Sequence, residues 1–336
     1  MESPVNAAVL QDLEQPLSIQ KRPRPEPGPG QVLVELRAAA LNRRDYWITQ
    51  GLYPAIRCPV VLGSDGAGVV RAIGPNVQGT WKGREVILNP GTGWGENPCV
   101  QGREFQVLGM PEDGTFAEAV LVRAEQLYPK PEHLSWEEAA AVPLAGLTAY
   151  RATVVHGQVA ADRRVLVTGI GGGVATFALL FARALGATVL VTSCSMEKIQ
   201  AARALGAAAG YDWTMPDWPA RIKADYGGID VIVDGTGGKN YNGLVELAAP
   251  AGTIVTYGAT AGRPPDVDLF RVFWKQLRLQ GSTLGSPEDF ENMMQLIERC
   301  RIRPVIDQIF PLDRVNDALE RMRDARQFGK IVLRIA

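Results

Sequence analysis

The residues from Val165 to Lys198, VLVTGIGGGVATFALLFARALGATVLVTSCSMEK, read in order as a short apolar strand, a glycine turn, an apolar helix and a second strand. That order is the physical recipe for holding a dinucleotide. Gly169 suits a tight turn, Gly172 lets backbone approach a pyrophosphate, and Ala175 stands where the fingerprint takes Gly or Ala so that helix and sheet pack closely. The unpaired N–H groups that open the helix, with Gly173 and Val174 in its first turn, then face the negative charge. A glycine-rich turn is sometimes no more than a tight connection. The presence of strand, turn and helix in the required order favours the nucleotide reading, and with it a redox enzyme.

With 336 residues the chain is long enough to bury a large core and to form two domains. Its 35 basic and 36 acidic residues leave a formal charge of −1 with no Lys/Arg block, which argues against a nucleic-acid partner. The stretch MESPVNAAVLQDLEQP lacks the basic-then-apolar pattern of a secretion signal. The most apolar helical run, Val174 to Ala182, stops at Arg183, and at about half the length of a membrane span it predicts no membrane association. Cys58, Cys99, Cys194 and Cys300 lie far apart without a CxxC pair. Disulfide and zinc-ribbon frameworks are therefore disfavoured, and a reducing cytoplasm is the expected compartment.

Up to about residue 120 the chain alternates short strand-like runs with Gly and Pro, as in QVLVELRAAAL, DGAGVVRAIG and WKGREVILNPG, the texture of a bent, mostly antiparallel β domain. Ser135 with Glu138 three residues later predicts a capping box that opens a helix on the approach to a second domain. Beyond it, strands at roughly 165–168, 188–193, 207–211, 229–234, 252–257 and 277–283 alternate with helical patterns, predicting six parallel strands with both faces covered. The hexapeptide ARALGA at 182–187 and 202–207 reads as one helix-to-strand joint used twice, with Gly in the left-handed position. The tail reads as strand, amphipathic helix and terminal strand. GKIVLRI alternates like a strand returning to the first domain, although a seventh strand of the nucleotide sheet is the competing placement. The expected domains are 1–124 with 296–336, and 125–295.

Cofactor choice is set at the end of the second strand, where an acid would bind the ribose hydroxyls and repel a 2′-phosphate. Here Ser193, Cys194 and Ser195 are small and uncharged, with Lys198 just beyond, so NADP(H) is expected over NAD(H); Glu197 is the counter-indication. Ligands of parallel sheets lie beyond the carboxyl ends of the strands, which points to Asp234 through Gly238, including Gly235, and to Tyr257, Gly258 and Thr283. Asp234 reads equally well as a structural cap on its glycine-rich loop.

By its motifs LNRRDYWITQGLYP, VLGSDGAGVV, DGTFAE, PLAGLTAY, GIGGGVA and FGKIVL, in that order, the chain resembles the medium-chain dehydrogenase/reductase superfamily from end to end. Within it the likeness is to zinc-independent quinone oxidoreductases and zinc-type alcohol dehydrogenase-like proteins. The resemblance implies a Rossmann doubly wound parallel sheet plus a GroES-like, mostly β catalytic domain. Zinc-dependent relatives hold a catalytic metal with Cys, His and Cys and a nearby Glu; these positions fall here on Asn42, Ser64, Leu144 and Asp65. An amide, a hydroxyl and an alkyl group do not replace thiolate and imidazole around zinc, so no metal is expected. The segment corresponding to the structural zinc lobe holds only Cys99, and neither His133 nor His156 reads as a ligand.

Without a Lewis acid, alcohol oxidation loses several kcal/mol of alkoxide stabilisation. Hydride delivery to an enone or a quinone puts charge on a conjugated oxygen that a few donors can support. The expected activity is therefore NADPH-dependent, zinc-independent reduction of quinones or α,β-unsaturated carbonyls. An NADP(H)-dependent alcohol or aldehyde oxidoreductase and a non-catalytic, crystallin-like dinucleotide binder are the alternatives. Candidate catalytic residues are Asn42, Tyr46, Tyr53 and Asp65. Trp47 reads as an aromatic wall where related quinone reductases often place a tyrosine, Asp45 as a partner for Arg43, Arg44 or another cation that organises its helix, and Ser64 as a local donor. The edge strand KQLRLQGSTLG is expected to pair across a two-fold axis into a homodimer, with a tetramer left open.

Overall fold

In the computed structural model, which describes residues 3–335, the chain forms two compact units, residues 1–145 with 285–336 and residues 146–284. The sequence-based boundaries at 124/125 and 295/296 both fall inside the first unit. The Ser135-capped helix Trp136–Ala141 packs on the strands Gln31–Ala40, Asp65–Ile73 and Lys330–Arg334, which carries the first unit on to residue 145. The helix Pro287–Cys300 belongs there too, its Phe290 ring standing edge-on to Tyr128 at 6.1 Å.

The second unit is built on a six-stranded parallel sheet. Its strands lie in the order Ala209–Asp212, Thr188–Ser193, Arg164–Val167, Ile229–Asp234, Ala248–Thr256 and Arg278–Gly281. In chain order this is 3-2-1-4-5-6, the doubly wound arrangement that reverses direction between the first and fourth strands. The expected strands are all present. The fifth begins four residues earlier than the pattern predicts, with a register irregularity between Ile229 and Val231 of its neighbour. Val165, Leu166, Val167, Val189, Leu190, Val191, Ile232 and Val233 are all buried, as both-face coverage demands. Both ARALGA copies join helix to strand through glycines with φ of 84° at Gly186 and 102° at Gly206. The helix Pro143–Tyr150 runs into a π-helical turn, Arg151–His156, that the sequence pattern did not reveal.

In the first unit, a mostly antiparallel sheet carries Leu127–Pro129, Glu85–Leu88, Asp65–Ile73, Gln31–Ala40, Lys330–Arg334 and Ile306–Pro311 along one path, with Ala119–Arg123 also on Gln31–Ala40. The C-terminal strand pairs antiparallel with Gln31–Ala40 and parallel with Ile306–Pro311, so the tail returns to this unit and not to the nucleotide sheet. The helix Val315–Arg323 makes that parallel connection. The expected alternation of GKIVLRI is absent: Lys330, Ile331, Val332 and Leu333 are all buried, because helices cover this strand. The short helix Arg43–Thr49 follows Gln31–Ala40 directly and brings the LNRRDYW residues onto the end of the sheet.

Candidate active site

At the switch point of the parallel sheet, the turn after Arg164–Val167 has the shape its glycines suggest. Gly169 adopts φ 60°, and a Cβ there would meet Thr236 Cγ2 at 2.7 Å. Gly172 is the N-cap of the helix Gly173–Ala184; no side chain caps it, and nothing lies within 4 Å of where its Cβ would be. Open space before uncapped N–H groups is what a pyrophosphate requires. Ala175 is buried at the helix–sheet contact. The uncapped N–H groups at Gly172, Gly173 and Val174 fit the phosphates of a dinucleotide.

The remaining nucleotide candidates are arranged around the same sheet end. Ser193 is buried and accepts from Ser195 N at 3.2 Å, while Ser195 caps the next helix by accepting from Lys198 N at 3.3 Å. The strand's own end, Ser193–Ser195, carries no carboxylate and Glu197 is exposed, while Asp212 pairs in register with Ser193 on the neighbouring strand and accepts from Thr214 N and Oγ1. Asp234 is fully buried and accepts from Thr168 Oγ1 at 2.6 Å, Thr236 Oγ1 at 2.6 Å and Gly237 N at 3.0 Å. It therefore caps the loop 234–238. Tyr257 lies so close to Gly235 that any Cβ there would collide with its hydroxyl. Burial, followed by the charge of Asp234, pushes the Tyr257 phenol up from its ordinary value. Thr283 is exposed just beyond the last strand.

Four positions that the resemblance drew together from far apart in the chain meet in the first unit. Asp65, fully buried, accepts from Asn42 Nδ2 at 2.9 Å and from Leu144 N at 2.8 Å. Its other partner is a residue the sequence reading passed over. Lys330 Nζ lies 2.7 Å from Asp65 Oδ2 and 2.8 Å from both Asn42 Oδ1 and Leu41 O, so its three donors meet three acceptors. Ser64, also fully buried, donates to Leu108 O at 2.8 Å and accepts from Arg44 Nη1 at 2.6 Å. The Asn42 amide is thus bonded to an ammonium, the Ser64 hydroxyl to a guanidinium, and Leu144 offers only its backbone. This donor set does not fit a zinc ion. Among the described residues no group of three or more His, Cys, Asp or Glu is placed to hold a metal. His133 instead bonds the Ile302 carbonyl at 3.1 Å.

The helix Arg43–Thr49 sorts the remaining candidates. Residues two apart on a helix point about 200° apart. Arg44 accordingly turns toward Ser64 and Tyr53, its guanidinium 4.9 Å from the Tyr53 ring centroid. Tyr46 leaves the helix on another side, and both tyrosines pack partly buried on the same apolar cluster. Trp47 is half-buried. Asp45 makes no ion pair with Arg43 or Arg44; it closes a capping box by accepting from Asn42 N at 2.7 Å. Burial pushes its carboxyl up to about 6, with Arg44 acting in the opposite sense.

Fold and site define a two-module dehydrogenase. Residues 28–132 match the alcohol dehydrogenase GroES-like domain, and residues 173–299 match the zinc-binding dehydrogenase family. A zinc-type alcohol dehydrogenase-like protein of Leptosphaeria maculans is 35% identical over 95% of each chain. A crotonyl-CoA reductase of Streptomyces avermitilis is 30% identical over 92% of this chain and 80% of its own. The crystal structure of an NAD-dependent alcohol dehydrogenase superposes with a TM-score of 0.93 at 37% identity, covering 98% of this chain and all of that one. The chain belongs to the medium-chain dehydrogenase/reductase superfamily, among its zinc-type alcohol dehydrogenase-like members. It is an NAD(P)H-dependent oxidoreductase. No helix among the described residues is long and apolar enough to cross a membrane.

Proposed function

We propose that the protein reduces quinones or α,β-unsaturated carbonyls with NADPH and without zinc. The observation that carries this reading is the bonding of Asn42 to Lys330 and of Ser64 to Arg44, which sets side-chain cations against two positions where the resemblance puts metal ligands. When bound, the dinucleotide supplies a hydride. Asn42 and Asp65 act as positioning groups, because Lys330 and Leu144 N already engage the amide and the carboxylate. Tyr53, beside Arg44, is favoured over Tyr46 as the phenol that orients substrate. The uncharged residues Ser193, Cys194 and Ser195 at the strand's own end support the NADP(H) preference, with Ser195 and Lys198 near the 2′-phosphate in this reading and Asp212, paired with Ser193, as the counter-indication. Gly235, Tyr257 and Thr283 flank the nicotinamide in this reading.

Similarity to an NAD-dependent alcohol dehydrogenase supports a second reading, alcohol or aldehyde oxidoreduction. NADPH oxidation against quinones, enones and aldehydes, with protein dialysed against chelator and its metal content measured, separates the two. Turnover of quinones or enones by metal-free protein is expected; activity that returns only with added zinc would overturn the proposal.

A homodimer through the nucleotide unit is part of the same proposal. Arg278–Gly281 ends the parallel sheet as an edge, and the adjoining helix Leu269–Trp274 leaves Leu269, Phe270, Phe273 and Trp274 between 61% and 73% exposed. A contiguous apolar surface beside an open strand edge is what a second copy would cover.

A further inference from the structure

Of the side-chain cations buried in the first unit, Lys330 has every donor engaged, whereas Arg44 does not. Arg44 is 7% exposed. Its Nη1 bonds Ser64 Oγ and Leu108 O at 2.6 and 2.8 Å, and its Nε lies 3.5 Å from the Tyr53 hydroxyl, a weak contact. Its Nη2, sealed from solvent, has no hydrogen-bond partner, and the same holds for Asp45 Oδ1 on the next residue. A buried guanidinium edge left unbonded costs free energy, and such a group in a native protein calls for a reason. The guanidinium is fixed from one side by Ser64 and Leu108 and covered by the ring of Tyr53, which stands half-buried in the largely exposed segment 51–59.

We propose that Arg44 is the oxyanion donor of the reaction and that Tyr53 is the movable cover over it. This rests on the reductase reading above and deepens it: the acceptor is an enone or quinone whose oxygen becomes anionic as it is reduced. In an enone the hydride supplied by NADPH forms the new C–H bond at the β-carbon, the C=C pair becomes a double bond between the α-carbon and the carbonyl carbon, and the C=O pair moves onto the oxygen. The oxygen then carries the negative charge until the α-carbon takes a proton from water. Arg44 Nη2 donates to that oxygen. The guanidinium stays charged throughout, so it strengthens the bond as charge develops without giving up a proton. Ser64 and Leu108 hold it in place, so little reorganisation accompanies the step. Tyr53 swings aside to admit the acceptor and then covers the charged oxygen, while the α-carbon stays open to water.

A nitrophenol, whose phenolate mimics the anionic oxygen and absorbs in the visible, reads this site directly in the NADP⁺-saturated protein. The bound probe is expected to ionise about 1 to 3 units below its free pKa, as beside a fixed cation. In Arg44→Met and Arg44→Gln the lowering should vanish, and in Arg44→Lys part of it should remain. The same Met and Gln variants should lose roughly 100-fold in kcat with an enone or quinone. NADPH binding, followed by its fluorescence, should stay within about twofold because Arg44 is not a nucleotide residue in this scheme. Guanidinium ion added to Arg44→Ala should restore part of the rate, and Tyr53→Ala should raise KM more than it lowers kcat.

An unshifted probe in the wild type, a shift that survives in Arg44→Met, or failure of the probe to bind would overturn the proposal. So would a crystal structure of the probe complex in which only a water bridges Nη2 and Asp45. A wild type that ionises the probe but reduces neither enones nor quinones would refute the reductase reading and leave the anion site standing.

Discussion

Lys330 gives the sharpest test of how the catalytic unit is held together. Replacing it by Met keeps an unbranched chain of similar length but removes the donor from Leu41 O, Asn42 Oδ1 and Asp65 Oδ2 together. The two charged side chains are 3% and 0% exposed, so water does not readily take the place of the ammonium. Breaking one side of a buried ion pair costs about 3–5 kcal/mol, most of it from the charge left behind. Counting acceptors at roughly 1–3 kcal/mol each gives an upper figure nearer 9, but Asp65 keeps its bonds from Asn42 Nδ2 and Leu144 N. The expected loss is therefore about 4 kcal/mol. Asp65→Asn alone should cost a similar amount, since it strands the ammonium. The double variant buries neither charge and should be better than the sum of the two by at least about 2 kcal/mol. Hydrogen exchange of amides in Asp65–Ile73 and Lys330–Arg334 reads the local stability without requiring both units to unfold together. Single variants costing under about 1 kcal/mol, or strict additivity, would show that the pair does not hold these strands as argued.

The raised Asp45 carboxyl makes a pH prediction with a definite sign. The folded form holds its proton up to about 6 while the ordinary value is 3.8, so stability falls as pH rises through that window and stays lowered above it. The wild type should thus lose up to about 3 kcal/mol relative to Asp45→Asn across the window, seen in paired urea titrations; parallel curves would refute it. Gly172→Ala has room for its methyl and an ordinary φ of −79°, so the melting temperature should not move while NADPH binds roughly tenfold more weakly, by fluorescence titration. Ser193→Asp should weaken NADPH by more than about tenfold and NADH far less, and equal losses for both would remove Ser193 from the 2′-phosphate site. Trp274→Asp combined with Phe270→Asp should yield a single-chain mass on sedimentation, whereas a wild type that already sediments as one chain would end the dimer proposal.

Much of the nucleotide unit was legible because its signals are local. A run of apolar residues, a glycine and a helical period occur within one strand, turn and helix, so Val165 to Lys198 announces itself, as do the ARALGA joints. Ser135 and Glu138 are three residues apart, and the capping box they predict closes at 2.8 and 3.2 Å. Where the reading slipped, the competing influence was tertiary. The helix Trp136–Ala141 has nothing in its own sequence to say which unit it joins; it packs on strands drawn from residues 31–40, 65–73 and 330–334.

The same reasoning explains why the two cations of the candidate site were not anticipated. A lysine opening a terminal strand ordinarily reads as solvent-facing, and Lys330 is buried only because Asp65, 265 residues earlier, and Asn42 converge on it. Arg44 sits in NRRD, where two adjacent arginines offer no local reason to assign one to the interior. Helical geometry decides it: Arg43 reaches the Met322 carbonyl, while Arg44 turns to Ser64 and Leu108. The resemblance located the site by what it lacks, the thiolates and imidazole at Asn42, Ser64 and Leu144. What stands there instead follows from electrostatics, because a buried Asp65 requires a counter-charge and, among the described residues, no metal-holding cluster provides it. Lys330 neutralises that carboxylate, so the Arg44 charge beside Ser64 answers only to the neighbouring Asp45 carboxyl, with which it forms no ion pair, and in our proposal it serves an oxyanion.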